Sequence, residues 1–167
     1  MRTIFRITDQ MIGEIRRDLQ RPHDFAAERV GFISVRADQT ASNLLLIGEG
    51  YHPVADEEYV DDASVGAMMG QEAIRKALDI ALLKPVGMFH VHLHSHRGRP
   101  RFSPTDVREQ RKFVPDFFKV RPHPHGAIVL SFNQQYGTVW MGPTRTTPIS
   151  EFNIIGPRFS ADILEKF

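Results

Sequence analysis

Hydrophobic and polar positions along the chain alternate between two rhythms, and the changes of rhythm mark the elements. Residues 3 to 7 read as a short strand, and Met11, Ile12, Ile15 and Leu19 then recur at helical spacing behind a Thr8 or Asp9 cap. Arg21-Pro22-His23-Asp24 breaks that helix. Residues 28 to 36 are β-rich, 38 to 43 read as a turn, and Asn43 to Ile47 form a second strand, the antiparallel partner of the first. The stretch 49–63 is acidic and without period, which predicts a long surface loop. Ser64 is a candidate cap for a helix running to about Leu83, with Ile74, Ala77, Leu78 and Ala81 on its packed face.

After Lys84-Pro85 an apolar run leads into Phe89-His90-Val91-His92-Leu93-His94-Ser95-His96. Ser103-Pro104 then opens another helix with proline in its first turn, and Pro115 ends or kinks it. Residues 126–132 and 137–141 form a hairpin, Phe152 to Ile155 a last strand, and a capped stub starts at Ser160. Strands and helices mix without strict βαβ repetition, which predicts an α/β (α+β) fold.

Composition narrows the chemistry. The 167 residues fit a single domain, 1–167, and a net charge of +1 gives no bias towards nucleic acid or membrane. There is no cysteine, so disulfides, thiolate metal sites and cysteine nucleophiles are excluded. That absence fits a reducing cytosol. The first ten residues have no apolar leader and no run approaches a membrane span, so the expectation is a soluble cytoplasmic protein.

Four of the eight histidines lie at 90, 92, 94 and 96. In an extended strand alternate side chains share a face. Neighbours two apart lie roughly 6.6 Å apart along the strand and can converge on one ion, whereas positions four apart cannot. Imidazoles on one face, joined by a carboxylate from a following turn, make a nitrogen–oxygen zinc site. Asp106 supplies that carboxylate in Ser103-Pro-Thr-Asp106, although Ser-x-x-Asp opening a helix also resembles a capping box. Glu28, at the start of an apolar strand, is the candidate base, with a strand-edge charge as the plainer reading. His123 and His125 sit in a proline-rich loop and are read as non-ligands. Trp140 is read as packing.

Glu28-x-x-Gly31, a His-x-His and Ser103-x-x-Asp106 together resemble the signature of the JAB/MPN-type metalloproteases, the JAMM motif. The resemblance follows the order of elements over most of the chain. It implies a cytidine-deaminase-like fold, a curved mixed sheet flanked by helices. It implies one Zn2+ held by two histidines and Asp106, Glu28 as base and then acid, and Ser103 at the oxyanion. The pair 90/92 leaves ten residues before Ser103, 92/94 eight and 94/96 six. The pair His92/His94 comes nearest the family spacing with a sufficient strand lead-in. After the His94-Ser95-His96 tripeptide, Arg97 stands where the family has proline. A neighbouring histidine can then serve as a second-layer group, and Arg97-Gly-Arg-Pro-Arg101 can grip acidic groups of a substrate. By the same resemblance the substrate is a ubiquitin-like protein, cleaved after its C-terminal glycine, as in prokaryotic conjugation or antiphage systems. The alternatives are a non-catalytic MPN-type scaffold and an unrelated histidine-rich metallohydrolase.

Overall fold

The computed structural model describes residues 1–156. Its centre is an eight-stranded mixed sheet. In chain order the elements are β1 (Arg2–Thr8), α1 (Asp9–Leu19), β2 (Val30–Gln39), β3 (Asn43–Pro53), β4 (Tyr59–Val60), β5 (Met68–Met69), α2 (Gln71–Leu83), β6 (Gly87–Leu93), α3 (Pro104–Val120), β7 (His125–Leu130), β8 (Gln135–Trp140), β9 (Thr146–Pro148) and β10 (Glu151–Ile155). The sheet order is β10-β1-β3-β2-β6-β7-β8-β9, and β4 and β5 pair separately. The α+β class expected from the sequence is the class observed. No helix among the described residues is long and apolar enough to cross a membrane.

The sheet is buried on both faces. Ile33, Val35, Phe89, Val91, Leu93, Ile128 and Leu130 pack with Ile12, Ile15 and Leu19 of α1. Val30, Phe32 and Met88 face the other way, against Ala73, Ala77 and Ala81 of α2 and Phe113, Val114 and Phe117 of α3. All seven residues of β6 are buried, with odd positions towards α1 and even ones towards α2 and α3. His90 and His92 therefore share the α3 face. Thr8 Oγ1 caps α1 by accepting from Met11 N at 3.1 Å, a bond of about 1 kcal/mol.

Several boundaries differ from the sequence expectation. The first strand pair is longer, with β2 reaching Gln39 and β3 reaching Pro53. The 49–63 stretch is no loose loop. Val54 and Tyr59 are buried there, and Tyr59 Oη accepts from Val30 N at 2.8 Å. Asp56 pairs with the buried Arg29 at 2.6 Å, and Glu58 is buried beside Lys76. Ser64 does not cap α2, because its hydroxyl and N–H are both spent on Asp62 Oδ1 in a local turn. The helix starts seven residues later, behind Gly70, whose N–H donates to Glu58 O at 2.7 Å.

Pro115 neither ends nor visibly limits α3, which runs on to Val120. An internal proline costs a helix about 3 kcal/mol, and burial of Phe113, Val114 and Phe117 on the sheet offsets it. β9 carried no sequence signal. The stub expected from Ser160 lies outside the described residues.

Candidate metal centre

Strand register explains why residues 66 positions apart in the sequence meet. β2 and β6 run antiparallel with Val30 opposite His92 and Phe32 opposite His90. Continued two positions beyond that last registered pair, the same register sets Glu28 opposite His94. His94 extends the β6–β7 ladder through its N–H to Leu130 O at 2.8 Å. Its Nε2 lies 4.0 Å from Glu28 Oε1.

β6 ends at Leu93, and the chain then turns, with His96 N donating to His94 O at 2.8 Å. The alternation of the sequence thus outlasts the strand that made it meaningful. His96 is exposed, with Nδ1 on the carbonyl of Arg97 at 2.9 Å, outside the cluster. Gly98, at φ 93°, carries the loop back, and its N–H donates to Asn133 Oδ1. Of the three adjacent pairs open in the sequence, the fold brings together 92 and 94.

Asp106 arrives from the first turn of α3. Ser103 Oγ accepts from Asp106 N at 3.1 Å, and Asp106 Oδ2 accepts from Ser103 N at 2.6 Å. The box and the cluster are not exclusive, because the same oxygen also faces the histidines. His92 Nε2 and His94 Nε2 are 3.2 Å apart, and Asp106 Oδ2 is 3.4 Å from the first and 3.5 Å from the second. Ligands 2.0–2.1 Å from a tetrahedral ion stand about 3.3–3.4 Å from one another. The triangle therefore has the edge length of a zinc tetrahedron. Glu28, His92 and His94 also offer one donor atom each within 4.8 Å, a looser possible metal-binding triad. At 4.0 Å from His94, Glu28 lies outside the tetrahedral edge and is the wider member of the cluster.

The electrostatics suit a cation. Two imidazole nitrogens and a carboxylate oxygen pointing at one spot repel unless a proton or a cation sits between them. Burial would raise the Asp106 pKa, but hydrogen bonding from His92, the His92 charge and the bonds from Ser103 hold it far below the usual carboxylate range. Asp106 is thus ionised throughout the neutral range. Burial, then His92, lowers the His94 pKa, which keeps its ring free of the competing proton. His90, deeper on the same face, is pushed down to about 3 by burial.

Glu28 is held by its neighbours. Its N–H donates to Gly66 O at 2.9 Å. Arg29 donates to the carbonyls of Arg21 at 2.8 Å and Pro22 at 2.6 Å, and Tyr59 clamps Val30. A Cβ on Gly66 would stand 2.9 Å from Glu28 Cδ and Oε2, so the 66 backbone lies directly against the carboxylate. No pattern in the sequence marks Gly66, Arg29 or Tyr59 for this role.

A cleft of about 310 Å³ opens at the cluster, with Glu28, His92 and Asp106 at one end and Val30, Met69 and Phe113 along its walls. His125 is no ligand. It is buried with both ring nitrogens engaged, Nδ1 accepting from Met88 N at 3.0 Å and Nε2 on Arg121 O at 2.9 Å. Trp140 is core. Arg97, Arg99 and Arg101 are exposed, and Arg99 lies over the Tyr136 ring at 5.8 Å. No family model and no curated protein matches this chain.

Proposed function

We propose that the chain is a zinc-dependent isopeptidase or peptidase of the JAB/MPN type, acting on a ubiquitin-like protein at its C-terminal glycine. The observation that carries the reading is the His92–His94–Asp106 triangle at tetrahedral edge length, with the Glu28 carboxylate just outside it. His92, His94 and Asp106 would hold the ion. When bound, it supplies Lewis-acid charge at a carbonyl and brings a water's pKa towards neutrality. The nitrogen and oxygen donor set, with sulfur excluded, suits zinc among the common catalytic ions.

Glu28 performs the proton chemistry. Its carboxylate accepts the proton of the attacking water as the new C–O bond forms, and returns it to the amide nitrogen as the C–N bond breaks. Ser103 accepts from Asp106 N, which leaves its own O–H proton to donate to the developing oxyanion. The short strand β5 borders the cleft at Met69 and pairs on one side only among the described residues. An extended tail can add to such an edge through main-chain hydrogen bonds.

The test is metal analysis joined to turnover on a ubiquitin-like fusion. The purified protein is expected to hold one zinc per chain. His92→Ala and His94→Ala lose it, whereas His96→Ala keeps it. Glu28→Gln keeps the metal and loses about 10²–10⁴-fold in turnover, the usual worth of a positioned acid–base group. Full turnover after exhaustive chelation would end this reading.

A further inference from the structure

The face of α3 descends in step with β6. Asp106 stands beside His92, and four residues along the helix Gln110 lines the same cleft as His90, one strand step below His92. His90 is 8 % and Gln110 4 % exposed, and His90 Nδ1 and Gln110 Nε2 are both buried without a hydrogen-bond partner. The imidazole is held between Phe32 at 5.8 Å and Phe113 at 5.5 Å, ring centre to ring centre. Buried polar atoms are nearly always paired, and an interior built only for packing would place apolar side chains here. Two of them on facing elements, on the wall of one cavity, point to something that enters the cavity.

We propose that His90 and Gln110 form the floor of a subsite that takes a neutral carboxamide side chain, asparagine or glutamine, of the bound polypeptide. The inference rests on the reading of this cleft as a polypeptide-cleaving site. A neutral imidazole and an amide each offer a donor and an acceptor, which matches a carboxamide and no simple ion. Val30, Met69 and Ile74 line the same cavity and suit the aliphatic stem of such a side chain. A carboxylate on the floor would find no cation, because Lys112 is exposed and already paired with Glu109. An ammonium group on the floor fares no better, since of the carboxylates lining the cleft Glu109 is engaged by Lys112 and Asp116 by Lys119, while Glu28 and Asp106 stand at the candidate metal centre. The space of about 310 Å³ is roughly ten times the share of one water molecule. It admits a side chain beside the scissile bond, where a glycine tail alone would leave the floor unfilled.

Binding is measured by NMR titration of the chelated protein, so that neither metal nor cleavage enters the result. The probes are acetylated tripeptide amides with glutamine, glutamate, methionine or glycine at the centre. The glutamine peptide is expected to bind about tenfold tighter than the methionine peptide, the worth of one or two uncharged hydrogen bonds. Gln110→Met is expected to bring that ratio close to one while leaving the thermal midpoint unchanged or raised, because an unpaired buried amide is exchanged for an apolar group of similar size. His90→Phe serves as the second variant and is expected to lower the ratio likewise. Equal affinity for glutamine and methionine peptides in the parent protein overturns the proposal. So does a Gln110→Met protein that melts earlier and keeps the parent ratio, which would make the pair structural. Loss of zinc or turnover leaves this result untouched, and a failed titration leaves the metal centre standing.

Discussion

Glycine 66 shows how closely the site is built at the level of single atoms. A methyl group there would stand 2.9 Å from the Glu28 carboxylate, and the atoms it meets are the far end of a flexible side chain. Gly66→Ala can therefore be accommodated by swinging that carboxylate aside, with little loss of stability. Under the proposed mechanism the consequence falls on chemistry, because a catalytic group displaced by about 1 Å costs up to 100-fold. The expected outcome is a normal melting curve, a full complement of zinc and turnover lowered about 10- to 100-fold. Unchanged turnover would show that Glu28 is not positioned by the 66 backbone. The same residue-scale logic separates the histidines. His92 and His94 meet because the strand register and one further ladder bond hold both rings on the α3 side, while His96 belongs to a turn that faces solvent.

Among the elements, β6 bears the greatest load, since it carries His90 and His92 and joins two halves of the sheet. Its first residue, Gly87, accepts the chain of the 121–125 connection so closely that a Cβ would fall 1.8 Å from Pro124 O. Backbone cannot step aside as a side chain does. Gly87→Ala is expected to cost about 3 kcal/mol, the upper part of the range for overpacking, read as a fall in the urea midpoint. Gly142→Ala, with nothing within 4 Å, is the matched control and should be neutral. Much of this architecture was legible in the sequence. An apolar run entering β6, Ser103-Pro104 opening α3 and the helical spacing of Ile12, Ile15 and Leu19 each state a local preference that the packing obeys. Local preference failed where long-range contacts decide. Val54 and Tyr59 are buried without forming any period, so an anchored segment read as a loop, and Ser64 looked like a cap because its turn with Asp62 is invisible in a helical pattern. Glu28, His92, His94, Ser103 and Asp106 were singled out by residue type, spacing and the family resemblance together, and the fold brings Glu28, His92, His94 and Asp106 to one place. The burial of Gln110 on the cleft wall had no counterpart in the sequence pattern, since one polar residue on a charged helix signals nothing until the facing strand is known.

The whole molecule buries His90 and His125 as neutral rings on the α3 side of the sheet, and this sets how it responds to acid. His125 is far from the candidate metal centre and isolates the effect. Burial pushes its pKa down to about 4 from 6.5, with the bond from Nε2 to the Arg121 carbonyl opposing. Above pH 6.5 the ring is neutral whether the chain is folded or not, and the packing it makes with Phe117 and Phe118 is fully available. Below that, the unfolded chain takes up a proton that the folded one refuses until about pH 4. Folding stability therefore falls as pH drops from about 6.5 to about 4, by up to ~1.4 kcal/mol per pH unit for this one proton. Asp106 acts in a separate window. Its lowered pKa adds stability that persists at neutral pH and is lost only on acidification below 3.8. Thermal melts of the chelated protein between pH 7.5 and 4 should show this fall, and His125→Asn should flatten it by about one proton's worth of slope. A variant that keeps the parent slope would move the acid sensitivity from this buried ring to groups elsewhere in the fold.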